Sequence, residues 1–541
     1  MNAEHLLAHY DKIVDAPDAL ARLRRFVLDL AMRGKLVPQD PKDEPVPTLL
    51  QRLKIADPQE EPFDLPISWA WVNVGSIAEA RLGKMLDKAK NKGTPKKYLR
   101  NINVRWFDFD LSDLYLMPFE DAELSEFALR AGDVLICEGG EPGRAAVWDE
   151  RQKDVYFQKA IHRVRFFDAV APSYFVQALR ESVSERRLAG YFTGTGIKHF
   201  TGKGLETYVF PLPPIAEQHR IVAKVNELMA LCDQLQGARA EREAKRDRLA
   251  AASLARLNAP DPKTFQTDVR FALDALPALT TRPDQIKQLR QTIFNLAVRG
   301  KLVPQDPKDE PASELLKRVA ADKEGRATSA RDKRAMAIEP LSGGVLLYPT
   351  PDGWVWASFG DLTISRDGER VPVSREERNR RGKVHDYYGA SGVIDKIDGY
   401  LFDKPLLLIG EDGANLINRS TPIAFIARGK YWVNNHAHVL DGLSEEYLRY
   451  VGLFINATDL KPYVTGTAQP KMNQAKMNSI PVALPPLAEQ HRIVTKVDEL
   501  IALCDKLEAS LINGEATRSR LLNALLHEAL APSSDEMEEA A

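Results

Sequence analysis

Residues Leu212–Gln236 read LPPIAEQHRIVAKVNELMALCDQLQ, and residues Leu484–Glu508 read LPPLAEQHRIVTKVDELIALCDKLE, identical at 19 of 25 positions. In the first copy Ile221, Val222, Val225, Leu228, Met229, Cys232 and Leu235 step by three and four, which places them on one helical stripe. Ile493, Val494, Val497, Leu500, Ile501, Cys504 and Leu507 reproduce that stripe. Pro213 and Pro214 set the helix start, and Glu217 falls in the first turn, where negative charge complements the helix dipole. Charged, alanine-rich sequence continues the pattern to about Leu257, so a helix of roughly 40 residues and ~60 Å is expected.

A second element is also written twice: RGKLVPQDPKDEP occupies both Arg33–Pro45 and Arg299–Pro311. Before it, Leu20, Leu23, Val27 and Leu30 match Ile286, Leu289, Ile293 and Leu296, predicting a shorter helix entered near Pro17 or Pro283. Gly34 and Gly300 end these helices, since glycine takes the left-handed cap conformation at no steric cost, and Arg33 and Arg299 put a cation at the carbonyl end. A fainter pair is Pro66-Ile67-Ser68-Trp69-Ala70-Trp71 with Gly75, echoed by Pro351-Asp352-Gly353-Trp354-Val355-Trp356 with Gly360.

Between each tryptophan pair and the following Leu-Pro-Pro lie about 140 and 130 dissimilar residues, each enough for a domain. Two copies are too few for a solenoid, so the repeat implies pseudo-twofold symmetry within one chain. Runs such as Asp133–Cys137 and Leu406–Ile409 read as strands, and Ser173–Arg187 as a helix, which makes the inserts mixed α/β. After Pro311 a helical stretch precedes a charged connector reaching Leu347.

Composition bounds the function. Lys+Arg 74 against Asp+Glu 76 gives no global basic signature, so any nucleic-acid binding must be local. Arg81–Arg105 holds nine Lys/Arg and one acid, and Arg366–Lys383 holds seven basic against four acidic residues. The acidic end after Pro532 is expected to be disordered. Cys137, Cys232 and Cys504 form neither a disulfide framework nor a metal-binding pair, and the last two are expected as small buried thiols. With no apolar run of ~20 residues and no signal-like start, a cytoplasmic protein is expected.

Tandem halves, each with a variable insert ending in Pro211-Leu212-Pro213-Pro214 or Ala483-Leu484-Pro485-Pro486 and followed by an EQHRIV helix, resemble the specificity subunit of type I restriction-modification systems. Tyr98–Val104 and Tyr387–Gly392 resemble early parts of that family's target-recognition domains, and both inserts close on Thr-Gly-Thr, at Thr193–Thr195 and Thr465–Thr467. The resemblance implies two mixed α/β recognition domains separated by two long antiparallel, coiled-coil-like helices. The corresponding parts are an N-terminal helical segment 1–63, recognition domain 64–212, long helix 213–258, central helical segment and linker 259–348, recognition domain 349–484, long helix 485–530 and tail 531–541. It further implies a non-catalytic subunit that reads a bipartite, asymmetric DNA target in phage defence. Its implied partners are double-stranded DNA, two modification subunits carrying S-adenosylmethionine, and restriction subunits using ATP and Mg.

Candidate DNA contacts follow from residue chemistry. Lys96 and Lys97 neutralise phosphate, while Arg100, Asn101, Asn103 and Arg105 offer the bidentate groups that read guanine and adenine, with Tyr98 among them. Thr193, Thr195, Lys198 and His199 lie in the first terminal turn; Thr465, Thr467, Gln469, Lys471 and Asn473 lie in or beside the second. Tyr387, Tyr388, Ser391, Asn434, Asn435 and His436 add hydrogen-bonding and aromatic groups in the second insert. His219 and His491, duplicated in the helical frame, suit packing or partner contact rather than catalysis.

Enzyme readings fail on context. Phe192-Thr193-Gly194-Thr195-Gly196 is similar to an S-adenosylmethionine-binding loop, but no strand leads into it and no NPPY-type tetrapeptide occurs. Gly202-Lys203 lacks the remainder of a phosphate-binding loop, and Glu243-Ala244-Lys245 sits in a charged helix where such residues are ordinary surface. Two alternatives stay open: a DNA-recognition subunit of a methylation-only or other defence complex, and a helical scaffold without DNA preference.

Overall fold

The computed structural model describes residues 12, 14–56, 60–87, 91–259, 261, 263–326, 340–341, 347–466 and 469–530; the acidic tail 531–541 lies outside them. The chain divides into two units, residues 1–242 with 515–541, and residues 243–514. Both long helices form, Ile215–Asn258 and Leu487–Leu530, 44 residues each. The unit boundaries fall inside them, so the chain leaves the first unit along one helix and returns along the other.

The apolar stripes serve their own units. Ile221 and Val225 join the core of the first insert, and Ile493, Val494, Val497 and Cys504 that of the second, where the short helix Pro283–Val298 adds Ile286 and Ile293. Burial in the first copy holds through Cys232, whereas Leu235 is 39% exposed. All three cysteines are buried, and burial pushes the Cys137 thiol up to about 11. The far ends of the long helices pack in the opposite unit: Leu522 and Leu525 against Ala16 and Ala19 in the first, and Leu254 and Leu257 beside Leu276 and Leu289 around an apolar cavity of about 510 Å³ in the second.

The duplicated motifs bind one another. At the N-terminus of the first long helix the buried Glu217 carboxylate accepts the Trp69 indole N–H at 3.1 Å; Glu489 accepts that of Trp354 at 2.9 Å. Burial raises both carboxyls above the ordinary range. Gln218 and Gln490 donate to the carbonyls of Pro213 and Pro485. Arg220 pairs with Asp43 at 2.8 Å and Arg492 with Asp309 at 2.6 Å, which joins the helix repeat to the QDPKDEP repeat. The Arg33 and Arg299 guanidiniums each lie 4.6 Å from an aromatic ring, Phe63 or Tyr348, and those rings pack edge-on against Trp71 and Trp356. His219 and His491 are exposed, which excludes packing as the reason for their repetition.

Gly34 and Gly300 adopt φ of +68° and +65°, and a Cβ on either would sit 2.4 Å from a Pro66 or Pro351 ring carbon. Glycine is therefore required twice over at these stops, for backbone conformation and for space.

Although their sequences differ, the inserts share one topology. Each opens and closes on a paired strand: Ala70–Asn73 runs antiparallel to Val209–Leu212, and Val355–Ser358 to Pro481–Leu484. The first four-stranded sheet has the spatial order Ala78–Leu82, Ile161–Phe166, Val134–Cys137, Ala145–Val147. The second has Ile364–Ser365, Ala437–Asp441, Leu406–Gly410, Ala424–Ala427, the same order of equivalent strands. A further sheet in each contains one antiparallel and one parallel pairing around Thr94–Leu99 or His385–Gly389. Helices Pro172–Ser184 and Glu445–Ala457 cover equivalent positions.

Trp354→Phe leaves the buried Glu489 oxygen without its indole donor, whereas the buried indole nitrogen of Trp356 has no hydrogen-bond partner among the described residues. In urea denaturation Trp354→Phe should therefore cost about 1–3 kcal/mol more than Trp356→Phe; equal midpoints would remove this bond from the stability account.

Candidate nucleic-acid interface

Both Thr-Gly turns are locked by the same backbone arrangement. Thr193 and His199 exchange two N–H···O bonds of 2.9 Å, and Thr465 and Lys471 two of 2.8 Å. Gly194 and Gly466 have φ of +96° and +84°; a Cβ on Gly194 would lie 2.3 Å from the Ile197 carbonyl oxygen, and one on Gly466 would lie 2.6 Å from that of Gln469. Past each turn, Phe200 N–H donates to the Glu138 carbonyl and Met472 N–H to that of Glu411, both at 2.8 Å.

A buried histidine holds each exit. His162 Nε2 donates to the Phe200 carbonyl at 3.0 Å, and His438 Nε2 to the Met472 carbonyl at 2.9 Å. Each occupies the second position of its strand, Ile161–Phe166 or Ala437–Asp441. Sequence reasoning missed both, because these strands read IHRVRF and AHVLD and the neighbouring Arg163, Arg165 and Asp441 mask the histidines among other polar groups. Their pKa values shift in opposite directions. Burial lowers the His162 pKa. It also opposes charge on His438, but the Asp367 carboxylate at 2.6 Å on Nδ1 and the Met472 carbonyl outweigh it, and the pKa rises. Acceptors face both ring nitrogens, an arrangement that favours the protonated ring. Arg370–Glu411 at 2.8 Å and Lys471–Glu411 at 3.1 Å extend this network to the turn.

The loops converge beside these turns. In the first unit Asn101 Nδ2 donates to Gly139 at 3.3 Å, and a Cβ on Gly139 would lie 3.3 Å from His199 Nδ1, so Asn101 and His199 flank the Glu138–Gly140 loop. In the second, His436 Nδ1 meets Asp412 at 2.7 Å, Asp412 bridges to Lys471, and Gly410 abuts the Ala390 carbonyl beside Ser391. The turn and the strand-end loop thus lie side by side in each insert, with Asn101 beside them in the first and Ala390 in the second.

Several candidates are instead committed to the interior. Tyr98 belongs to the first insert's core, and Asn103 is fully engaged, accepting from Arg100 N–H and donating to the carbonyls of Asp110 and Asp113. Tyr387 is buried with its hydroxyl on the Val373 backbone; Asn434 is buried and accepts from His436 N–H. Tyr388 is half-buried and stacks on Phe425. Asn473 is exposed, and its side chain is engaged in capping the short helix Gln474–Asn478. Ser391, Asn435, His436, Thr465, Gln469 and Lys471 remain exposed, as do Thr193, Thr195, Lys198 and His199. Thr467 lies outside the described residues.

The local charge excess shrinks on folding. Arg100 pairs with Asp113 and stacks on Tyr115, Arg105 pairs with Asp110, Lys84 with Glu123, and Arg81 with Glu126. Lys88 and Lys90 fall outside the described residues. Lys92, Lys96 and Lys97 are left without an ion-pair partner among them; Lys97 is exposed and Lys96 half-exposed on the strand Thr94–Leu99. In Arg366–Lys383 five of the seven basic residues are paired, leaving Arg375 and Arg380 without an ion-pair partner among the described residues. Among the described residues no cluster of His, Cys, Asp or Glu suits a metal ion, and no helix is long and apolar enough to cross a membrane.

The pattern of the type I restriction modification DNA specificity domain matches residues 66–242 and 351–514. The chain is 26% identical to the type I restriction enzyme EcoAI specificity subunit of Escherichia coli and 26% identical to the EcoEI specificity subunit of the same species, covering 94% of this chain and 94% of the relative in each case. The crystal structure of the HsdS subunit from Thermoanaerobacter tengcongensis aligns with 87% of this chain and 98% of that one, at 17% identity and a TM-score of 0.42.

The two histidine clamps should respond oppositely to pH. His438, raised in the fold, stabilises fully below about 6.5, and that contribution is lost as pH rises through its folded value. His162, lowered in the fold, contributes above about 6.5, and its contribution is lost as pH falls towards its folded value. Hydrogen exchange, corrected for intrinsic rates, should show the His199 amide losing protection on acidification and the Lys471 amide losing it on alkalinisation. Parallel trends would contradict the opposite shifts.

Proposed function

The chain belongs to the family of type I restriction-modification specificity subunits, and from that membership we propose that it reads a bipartite, asymmetric DNA target, one half-site per insert. Residues 64–212 and 349–484 are the two recognition domains in this reading, and the long helices set their separation. The observation that carries it is a duplicated scaffold bearing unlike surfaces: the strand order and the clamped turn recur, whereas the exposed side chains beyond the shared threonines, Ile197, Lys198 and His199 against Gln469 and Lys471, do not. One frame repeated twice suits two similar stretches of duplex; two unlike surfaces suit two different base sequences.

The subunit itself supplies no catalytic group in this reading. It scaffolds two modification subunits, which bring S-adenosylmethionine for adenine methylation, and restriction subunits, which bring ATP and Mg. A complex lacking the restriction subunits would methylate without cleaving. Sequencing of methylated bases in DNA exposed to the complex tests the proposal: two short specific blocks separated by a fixed unspecified spacer are expected, and methylation without sequence preference would overturn it.

Two further outcomes follow from the geometry. Replacing Lys96 and Lys97 together by alanine should weaken binding to all sequences alike and reduce the slope of log K against log salt by about two; an unchanged slope would place these lysines off the DNA. Because the chain passes between units only within the long helices, inserting four residues near Ala244 adds about 6 Å of helical rise. The spacer should lengthen while both half-site sequences persist. A mapped target with its original spacer would remove the helices as the ruler.

A further inference from the structure

We propose that Ile197 and Gln469, which hold equivalent tip positions in the two clamped turns, are specificity-determining residues, Ile197 for a thymine in the first half-site and Gln469 for an adenine in the second. The inference rests on the DNA-reading function proposed above. Equivalence comes from backbone geometry: Thr193 and Thr465 open the turns, His199 and Lys471 close them, and the carbonyls crowding Gly194 and Gly466 belong to Ile197 and Gln469 themselves.

Ile197 is 74% exposed, between the exposed Gly196 and Lys198. A scattered exposed apolar side chain needs no explanation by itself. This one sits on a turn fixed by two backbone bonds, an obligatory glycine and a buried histidine clamp, so its position is set before any ligand arrives. Preorganisation of this kind suits a contact whose value depends on geometry. The loop beside it, Glu138–Gly140, is flanked by Asn101 and His199, and the neighbouring Lys198 offers a charge to phosphate.

The chemistry at the tip differs between halves while the support does not. An isoleucine has no donor or acceptor, and the feature of a major-groove edge that hydrocarbon recognises is the thymine C5-methyl. A glutamine amide presents one donor and one acceptor, matching adenine N6 and N7. Gln469 is likewise exposed. The two turns thus differ at the tip in the kind of base edge they suit, isoleucine against glutamine.

The test uses the full chain, reconstituted with modification subunits, carrying Ile197→Gln, Ile197→Ala or Gln469→Ile, with methylation mapped over randomised half-sites. Ile197→Gln should shift preference at one base pair of the first half-site from thymine towards adenine, by about tenfold or more given the usual discrimination of a bidentate contact. The second half-site should be unchanged. Ile197→Ala should relax that same position, and Gln469→Ile should alter one position of the second half-site only. Unaltered preferences, or uniform weakening across all sequences, would overturn the assignment while leaving the bipartite function intact. A first half-site without a T·A pair would overturn the methyl contact. If the unsubstituted complex showed no sequence preference, the underlying DNA-reading proposal would fall instead.

Discussion

A buried carboxylate at a helix N-terminus, bonded to a tryptophan indole, is the joint on which each half of this molecule is built. Glu217 and Glu489 each bring four groups into register: the first turn of a 44-residue helix, the tryptophan that opens the insert, the proline pair that closes it and, through Arg220 or Arg492 one turn along, the QDPKDEP segment. Removing a carboxylate from water is unfavourable unless partners and a positive potential compensate. Here the helix dipole, the indole N–H and the neighbouring guanidinium together offset part of that cost, and burial still raises both carboxyls. The second copy adds the Gln305 amide to the free oxygen of Glu489; in the first copy the corresponding oxygen of Glu217 has no partner among the described residues.

This joint explains why motifs far apart in the sequence are duplicated together. Trp69, Asp43, Glu217 and Arg220 are one interaction network, and any repeat that kept only part of it would leave a buried charge unmatched. The same logic governs the turns. Their glycines, backbone exchange and histidine clamps recur, since each is needed to hold the loop, whereas the tip residues are free of that constraint.

The frame was legible in the chain because its signals are local or repeated. Helix stripes, proline starts and glycine stops are written in short windows, and Gly34 and Gly300 occur where their backbone requires them. The inserts were legible only as mixed α/β material, since strands such as Ile161–Phe166 gain their place from partners distant in sequence. Charge was misleading for the same reason. The nine basic residues of Arg81–Arg105 look unopposed in a window that omits Asp110, Asp113, Glu123 and Glu126, which folding brings against Arg105, Arg100, Lys84 and Arg81. Tyr98, Asn103, Tyr387 and Asn434 carry groups that suit a base edge, yet the fold spends them internally, and side-chain chemistry alone does not distinguish the two uses.

The paired strands at the mouth of each insert have a consequence for how such a chain changes. Because Ala70 lies opposite Leu212 and Val355 opposite Leu484, everything between enters and leaves the frame through neighbouring backbone positions. An arrangement of that kind works as a socket. A foreign segment whose ends meet as an antiparallel pair fits it without moving the indole, the carboxylate or the long helix, so variety in what is held costs the holder little.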